Sequence, residues 1–329
     1  MHALHVLAEI AAVALSLVST LLAIAGLGRD GRSDALASFA PFTFLLSLAG
    51  AALAWTALGP GLATTALLTL DGVAAVLCLV RLVPEFIRLR PAFRSDPVAL
   101  RVLSGNLLWI NPSGERAVAA ILACDPDVVI LQEVGRRLTA PLAGLEARYP
   151  NAASCPHAGL RIYTKFPMVA HRCNCEQADT PRGRLLTATI RLSDQATVTL
   201  ATTHFSHPYR GDAQARERQG LGAAVRGLEV RDLVLAGDFN TAPWSHAMRS
   251  QDDALAPLRR WSIAWFTWPA RLRRGRLAWP LPLLPIDHIY AGPGWSHVRL
   301  RRVRLPGSDH FATEASLCRP PVCEPPSPV

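Results

Sequence analysis

Three long apolar segments occupy the first quarter of the chain. They span Ala3–Leu27, Ser38–Leu58 and Gly61–Val83, and short polar or glycine-containing turns separate them. Each is close to or above the ~20 apolar residues that a helix needs to cross a bilayer. The first has no basic start and is too long for the core of a cleaved signal peptide. The pattern therefore predicts three transmembrane helices within residues 1–83.

The third apolar segment contains one acidic residue, Asp71. An ionised carboxylate inside a bilayer is costly, so such a residue usually faces other helices or water. Two interpretations are open: a functional carboxylate, or a protonated carboxyl group that is hydrogen-bonded to a neighbouring helix. The second, structural interpretation is favoured.

Beyond Val83 the long apolar segments give way to short ones. Residues 84–98 carry prolines and arginines, and they are predicted to form a basic linker along the lipid headgroups. Residues 99–317 are predicted to form one globular domain, and the proline-rich residues 318–329 a disordered tail.

The predicted domain combines β-rich runs with two helices. Apolar runs such as Val128–Leu131 are typical of strands that are buried on both faces, so a layered α/β domain is expected. The second helix is expected to begin with Asp212 as its N-cap residue. The predicted strands are Leu100–Leu103, Asp127–Leu131, Leu160–Tyr163, Leu185–Leu192, Thr197–Thr202, Leu233–Leu235 and His288–Tyr290, and the predicted helices are Gly114–Cys124 and Asp212–Leu228.

Composition agrees with a chain that lies partly in lipid. Hydrophobic residues make up 50% of the chain and charged residues only 18%, with a mean hydropathy of +0.22, which is too apolar for an ordinary soluble enzyme. Most of the net charge of +9 lies beyond Arg94, and a basic domain favours phosphate-bearing partners. Lys165 is the only lysine, which excludes a lysine nucleophile or a P-loop elsewhere.

Two signals disagree about the side of the membrane on which the domain lies. In a three-span topology Arg29, Arg32 and Arg88 lie on the same side as the domain, and the positive-inside rule makes that side cytoplasmic. Cys318 and Cys323, however, are compatible with a disulfide and an oxidising compartment.

The other cysteines of the domain leave two chemistries open. Cys155, Cys173 and Cys175, with two nearby histidines, could offer ligands to zinc, but the Cys-x-Cys spacing lacks the usual two-residue spacer. A disulfide between Cys155 and either Cys173 or Cys175, or free thiols, is favoured over zinc. Cys124 is expected to be a core residue on the apolar side of its helix.

Several predicted strands end in polar groups that can carry chemistry. Because strand ends open onto one edge of a sheet, these side chains can converge there. The set contains carboxylates, imidazoles and amides but no thiolate, and such ligands suit Mg²⁺ or Mn²⁺ better than zinc. The segments are Ser104-Gly105-Asn106, Leu131-Gln132-Glu133, Thr203-His204, Gly237-Asp238-Phe239-Asn240, Ile286-Asp287-His288 and Ser308-Asp309-His310.

Together with Tyr163-Thr164-Lys165-Phe166-Pro167, these segments follow the order of the endonuclease/exonuclease/phosphatase family, which the region from Leu100 to Ala315 resembles. The family includes pancreatic deoxyribonuclease, abasic-site endonucleases, inositol polyphosphate 5-phosphatases and bacterial sphingomyelinases. The resemblance implies a four-layer α/β sandwich, two β-sheets flanked by helices, which hydrolyses phosphate esters with a divalent metal. The three N-terminal helices make the chain similar to bacterial inner-membrane members, which look like exported enzymes and so favour a periplasmic domain.

The resemblance implies a metal site and a catalytic histidine. Glu133 would be the main ligand of Mg²⁺ or Mn²⁺, with Asn106 and Asp309 near the same ion. His310, oriented by Asp287, would contact the scissile phosphate and help to activate water or stabilise the developing charge.

Three further residues receive roles from the same resemblance. Asp238 would position or deprotonate the attacking water, and Asn240 would hydrogen-bond a phosphoryl oxygen. His204 would stabilise the pentavalent state or protonate the leaving oxygen. Asn106, Asn240 and His310 would also contact the substrate, and whether Asp238 or His310 is the general base stays open.

Two functions are open: a membrane-anchored, metal-dependent phosphoesterase, or a catalytically silent membrane protein that uses the fold to bind phosphate or lipid. The enzyme is favoured, because every position that the family uses for metal binding or catalysis carries the required residue. The substrate is expected to be a phosphodiester near the membrane, with nucleic acid and phospholipid both open, and no obligate protein partner is evident.

Residues 261–285, rich in tryptophan and arginine, form either a substrate rim that meets anionic headgroups or a loop whose tryptophans pack on the domain.

Overall fold

The computed structural model describes residues 2–88, 97–174, 184–270, 272–274, 277–279 and 281–319. The chain forms two compact units. The helical unit contains the N-terminal helices together with residues 207–212 and 241–250, and the sandwich unit contains the remaining described residues.

Four helices form the N-terminal part of the helical unit. They are α1 (His2–Ala25), α2 (Gly31–Ser38), α3 (Ala40–Ala57) and α4 (Leu62–Phe86). Helices α1, α3 and α4 are long and apolar enough to cross a membrane, in agreement with the three predicted segments. Helix α2 lies where the sequence predicts only a polar loop. Its N-cap residue, Asp30, accepts hydrogen bonds from the backbone N–H groups of Arg32 and Ser33, which satisfies donors that a helix N-terminus leaves free.

Helix α4 continues past Pro84 to Phe86, although the proline predicts that the linker starts there. Proline removes one helical hydrogen bond and crowds the preceding turn. Because the helix ends two residues later, the disruption is confined to its last turns. Residues 89–96 of the predicted linker lie outside the described residues.

Asp71 of α4 is hydrogen-bonded to α1. Its carboxyl oxygens accept hydrogen bonds from the hydroxyl groups of Ser16 and Ser19 at 2.7 and 3.1 Å, and all three residues are buried. Helix α3 passes closely at Gly50, where a Cβ atom would lie 2.9 Å from Asp71 Oδ1. The geometry agrees with the structural interpretation of this residue.

Residues 241–250 pack against the N-terminal helices within the helical unit. The buried Trp244 donates its indole N–H to the carbonyl of Ser38 at 3.1 Å, and its ring stacks on Phe86 with 6.5 Å between the ring centroids. Asp34 Oδ1 accepts the backbone N–H of Ala247 at 3.0 Å. With residues 207–212, the helical unit is therefore built from three separate parts of the chain.

Fourteen strands are present among the described residues. They are β1 (Val98–Asn106), β2 (Val128–Gln132), β3 (Asn151–Cys155), β4 (Leu160–Thr164), β5 (Met168–Cys173), β6 (Leu185–Arg191), β7 (Thr197–His204), β8 (Leu233–Asp238), β9 (Arg259–Arg260), β10 (Leu272–Arg274), β11 (Leu277–Trp279), β12 (Asp287–Ala291), β13 (His297–Arg304) and β14 (Phe311–Cys318).

These strands form two six-stranded sheets and a separate pair. The first sheet has the order β13-β14-β1-β2-β4-β3 and the second the order β5-β6-β7-β8-β12-β9, while β10 pairs with β11. The pairs β1–β2 and β7–β8 are parallel, and the other neighbours are antiparallel. Each sheet thus has a parallel pair at its centre.

An apolar core lies between the two sheets. Val102 and Ile130 of the first sheet and Leu186, Leu200 and Val234 of the second belong to one buried cluster. A second cluster packs the outer face of the first sheet against helices, and further helices flank the second sheet, as the resemblance implies for a four-layer α/β sandwich. These helices are α5 (Gly114–Cys124), α6 (Thr139–Leu142), α7 (Gly211–Arg226) and α8 (His246–Ala254).

All predicted strands and both predicted helices of the domain are present, with two corrections. Helix α7 begins at Gly211, so Asp212 lies in its first turn instead of at the N-cap. The sequence does not predict β3, β5, β9, β10, β11, β13 or β14, and β13 illustrates the reason. It is an edge strand with four arginines and a largely exposed face, so it lacks the apolar run that marks a buried strand.

One of the two alternative disulfides is present. Cys155 and Cys173, at the ends of β3 and β5, are bonded with 5.4 Å between their Cα atoms and so link the two sheets. These two thiols are therefore not available to zinc. Cys124 is half-buried against the outer core cluster, as expected, and Cys175 and Cys323 lie outside the described residues.

Candidate active site

The central strands of both sheets end in the predicted polar residues. Asn106 ends β1, and the neighbouring parallel strand β2 runs directly into Glu133. In the second sheet the register places His204 of β7 opposite Asp238 of β8, and Asp238 opposite Asp287 of β12. Pairing of the strands therefore brings together side chains that are far apart in the sequence.

Gly237 allows β7 and β8 to approach closely beside Asp238. A Cβ atom at this position would lie 2.1 Å from the carbonyl oxygen of Thr203, so no larger residue fits without moving a strand. The glycine of the Gly-Asp segment is thus required by packing, while the aspartate supplies the chemistry.

Asn106 connects the two sheets at the site. Its buried amide nitrogen donates hydrogen bonds to Glu133 Oε1 at 2.9 Å and to Asp238 Oδ2 at 3.0 Å. Its amide oxygen accepts the backbone N–H of Leu108 at 2.9 Å. In this arrangement Asn106 orients the two carboxylates, one from each sheet.

Glu133 is held as a carboxylate. Its Oε2 accepts the backbone N–H of Trp109 at 2.9 Å. Burial raises the pKa of Glu133, but the hydrogen bonds from Asn106 and Trp109 and the nearby imidazoles of His204 and His310 outweigh burial and lower it. An ionised carboxylate in a half-buried position is a suitable ligand for a hard divalent cation.

Asp287 and His310 form a buried pair next to Asp238. His310 Nδ1 lies 2.9 Å from Asp287 Oδ2, and His310 Nε2 lies 3.8 Å from Asp238 Oδ2. Burial lowers the pKa of His310, but the charges of Asp287 and Asp238 exceed this effect and raise it. Burial, together with the charge of Asp287, raises the pKa of Asp238. The pair and Asp238 therefore form a buried cluster of two carboxyl groups and one imidazole.

His204 and Asn240 lie on the other side of Asp238. His204 Nε2 is 3.6 Å from both Glu133 Oε1 and Asp238 Oδ2, and 3.3 Å from the amide nitrogen of Asn240. The backbone N–H of Asn240 donates to Asp238 Oδ1 at 2.8 Å, and its amide group donates to the carbonyl of Phe205 at 2.7 Å. Seven of the eight predicted site residues thus belong to one connected cluster.

Asp309 has a different environment from the other predicted residues. Its Oδ2 accepts the indole N–H of Trp268 at 3.0 Å. Among the described residues, two groups of side chains offer ligand atoms within 4.8 Å of one another. One group is Glu133, His204 and Asp238, the other is Asp238, Asp287 and His310, and neither includes Asp309.

The sequence assigns no role to two neighbours of the site, Gln132 and Trp109. Gln132 is fully buried, and its amide nitrogen donates to the hydroxyl groups of Ser104 and Thr202 at 3.2 and 3.0 Å, so it joins the two sheets behind Glu133. Trp109 holds Glu133 through its backbone, and its side chain is 48% exposed. An aromatic residue three positions after β1 is the only sequence signal for Trp109.

Trp265 and Trp268, two of the tryptophans before β12, pack on the sandwich. Trp265 donates its indole N–H to the hydroxyl of Thr313 at 3.0 Å, and the guanidinium of Arg302 lies 4.9 Å from its ring centroid. With the bond from Trp268 to Asp309, these contacts support the packed interpretation for this part of the loop. The side chains of residues 271–280, including the arginines predicted as a basic rim, lie outside the described residues.

Comparison with known proteins agrees with this fold. The sequence profile of the Endonuclease/Exonuclease/phosphatase family matches residues 103–310. The chain therefore belongs to this family, which acts on phosphate esters. No curated protein sequence matches the chain.

Solved structures share the sandwich. Truncated TDP2 from Caenorhabditis elegans is 20% identical with a TM-score of 0.51, covering 67% of this chain and 97% of that chain. D. rerio TDP2 complexed with single strand DNA product is 17% identical with a TM-score of 0.53, covering 66% and 98%. A functionally unknown conserved protein from Enterococcus faecalis V583 is 16% identical with a TM-score of 0.51, covering 67% and 100%. At these identities the similarity shows the fold.

Proposed function

We propose that this protein is a membrane-anchored, divalent-metal-dependent phosphodiesterase that hydrolyses a phosphate ester by in-line attack of water. One observation carries the proposal: Glu133, His204, Asp238, Asp287 and His310 form two overlapping groups whose ligand atoms lie within 4.8 Å of one another. Hydrolysis of a phosphodiester needs charge neutralisation, an oriented water and a proton for the leaving oxygen. Carboxylates and imidazoles in this arrangement can meet all three needs.

The donor atoms of the site fit Mg²⁺ or Mn²⁺. Glu133 and Asp238 present carboxylate oxygens next to each other, Asn106 holds both, and no cysteine belongs to either group. Glu133 would be the principal ligand, with Asn106 and Asp309 contributing if their present hydrogen bonds to Leu108 and Trp268 are shared. When bound, the cation supplies positive charge to the phosphate oxygens and acidifies water.

The protein's own residues orient the reactants and move protons. The raised pKa of Asp238 suits a group that positions the attacking water and accepts its proton. His310, kept protonated by Asp287, would stabilise negative charge on the phosphoryl oxygens. Asn240 would donate a hydrogen bond to such an oxygen, and His204 would protonate the leaving oxygen.

Two substrate classes follow from different observations. The fold is shared with a TDP2 complexed with single strand DNA product, which favours nucleic acid. Three helices that are long and apolar enough to cross a membrane would keep the sandwich near lipid, which favours a phospholipid diester. An inner membrane location with the sandwich on the periplasmic side is part of the same proposal.

The test is hydrolysis by the full chain in a neutral detergent. The substrates are bis-p-nitrophenyl phosphate, single-stranded DNA and phosphatidylcholine in mixed micelles with the detergent, and each is assayed with Mg²⁺, with Mn²⁺, with Zn²⁺ and with EDTA. We expect hydrolysis of at least one diester with Mg²⁺ or Mn²⁺, none with EDTA, and no rescue by zinc alone.

Glu133→Gln keeps the size of the side chain and removes the charge, so it should abolish turnover while the melting temperature stays normal. Glu115→Gln changes a carboxylate in the first turn of α5 and serves as the matched control. Full activity in EDTA, or a fully active Glu133→Gln protein, would contradict the proposal. A chain that hydrolyses none of the three diesters under any metal condition would favour a catalytically silent binding module.

A further inference from the structure

The helical unit contains a cavity of about 230 Å³ beside the ends of α1 and α4. Its polar lining comes from Arg29, Arg81, His246 and Arg249, and its apolar lining includes Leu77 and Val80. The volume is several times the ~30 Å³ that one water molecule occupies in the liquid. A group of the size of a phosphate therefore fits.

The cavity is strongly basic. Arg81 is buried, with 8% of its side chain exposed, and it donates a hydrogen bond to the carbonyl of Gly26 at the end of α1. Arg249 is close enough to repel the charge of Arg81. Among the described residues, neither Arg29 nor Arg249 forms an ion pair with an acidic side chain.

Asp34 provides only partial compensation for this charge. It attracts Arg81 electrostatically, while its Oδ1 accepts the backbone N–H of Ala247. The attraction from Asp34 thus acts on Arg81, the buried member of the three arginines. Arg81 is buried, whereas the side chains of Arg29 and Arg249 are exposed, and an anion bound between these like charges would lower their mutual repulsion.

The apolar lining of the cavity indicates an anion that also carries an apolar group. Val80 is 65% exposed on the surface of α4, in a helix that is apolar enough to cross a membrane. In a three-span topology the ends of α1 and α4 lie on the same side of the bilayer, at headgroup level. Basic pockets between transmembrane helices at this level are known sites for lipid headgroups.

We propose that this cavity binds a phosphate-bearing anion, supplied either by the headgroup of an anionic phospholipid or by free inorganic phosphate. Arg29, Arg249 and the free nitrogen of Arg81 would contact the phosphate oxygens, and Val80 with Leu77 would contact an acyl chain when the source is a lipid. The residues belong to the helical unit, so the proposal does not depend on the catalytic assignment.

The test measures binding to the full chain in a neutral detergent with EDTA present, so that metal-dependent hydrolysis does not consume the probe. Native mass spectrometry counts bound phosphatidylglycerol and phosphatidylcholine, and the shift in melting temperature reports on inorganic phosphate. We compare Arg249→Ala and Arg29→Ala with Arg32→Ala. Arg32 is an exposed arginine next to the same loop that does not line the cavity, so it controls for diffuse surface charge.

We expect phosphatidylglycerol to bind more tightly than phosphatidylcholine. Either cavity variant should lose about tenfold in affinity, as for one charged hydrogen bond, whereas Arg32→Ala should bind normally. Binding of phosphatidylglycerol alone identifies a headgroup site, and an Arg249-dependent shift with inorganic phosphate identifies a site for the free anion as well. Equal binding of both lipids with no phosphate effect, or an equal loss in Arg32→Ala, would overturn the proposal.

Discussion

Replacement of Asp287 by asparagine tests how the buried pair of Asp287 and His310 works. The two groups lie 2.9 Å apart, and the carboxylate raises the pKa of His310. The amide has the same shape and can still accept the Nδ1–H, so Asp287→Asn removes mainly the negative charge. A hydrogen bond to a charged group contributes about 1.5–3 kcal/mol.

This energy sets the size of the expected effect. Because 1.36 kcal/mol corresponds to one pKa unit, loss of the charge should lower the pKa of His310 by about one to two units. The carboxylate stabilises the protonated imidazole, so its removal favours the neutral form and the sign of the shift is downward. If the imidazolium stabilises the phosphate, kcat/KM should fall by about 10- to 100-fold on the basic limb of the profile, above the raised pKa of about 10, and should change little at neutral pH, where His310 stays protonated in both proteins.

The measurement is a pH profile of kcat/KM on bis-p-nitrophenyl phosphate, with melting temperature as a check of folding. We expect the basic limb of the profile to move to lower pH in Asp287→Asn. Asp232→Asn is the control, because Asp232 pairs with Arg319 within the same unit and does not belong to either ligand group. An unchanged profile in a folded Asp287→Asn protein, or a shift to higher pH, would refute the reasoning.

Three other predictions address His204, Asp71 and topology. His204→Ala should slow diesters with poor leaving groups by about 100-fold or more and p-nitrophenyl diesters far less, because a good leaving group needs no proton; equal losses on both would remove His204 from this role. Asp71→Leu should lower the melting temperature, because it leaves the Ser16 and Ser19 hydroxyls without their acceptor. Asp71→Asn should lower the melting temperature less, and both variants should retain kcat. Loss of turnover in a folded Asp71→Asn protein would point to a functional carboxylate. Alkaline phosphatase fused after Phe93 should be active if the sandwich is periplasmic, and inactivity with a fluorescent cytoplasmic reporter at the same position would establish the opposite side.

Residues of the site could be predicted because their signals are local. Glu133 and Asp238 each follow a short apolar run, and a polar residue at the end of a buried strand is visible without knowledge of the fold. The partners of these residues could not be predicted in the same way. Pairing of β7 with β8 and of β8 with β12 aligns His204, Asp238 and Asp287, and such register depends on contacts between distant segments.

His288 shows where adjacency in sequence misleads. The Asp287-His288 segment looks like a carboxylate and imidazole pair, but successive side chains of a strand point to opposite faces. Asp287 faces His310, whereas His288 is buried beside Phe239 and its Nδ1 lies 3.0 Å from the hydroxyl of Ser262. The partner of Asp287 is therefore His310, which follows it by 23 positions.

Backbone conformation provides an independent reason to connect Glu133 and Asn240 with function. Both adopt a positive φ, +54° and +50°, which is uncommon outside glycine, although asparagine tolerates it better than glutamate does. Glycine would relax the backbone at either position. Retaining a side chain there is favourable only if the side chain contributes more than the strain costs. At Glu133 the contribution is a carboxylate held by Asn106 and Trp109, and at Asn240 it is an amide beside His204, so at these two of the six described non-glycine residues with a positive φ the backbone presents a polar group of the proposed site.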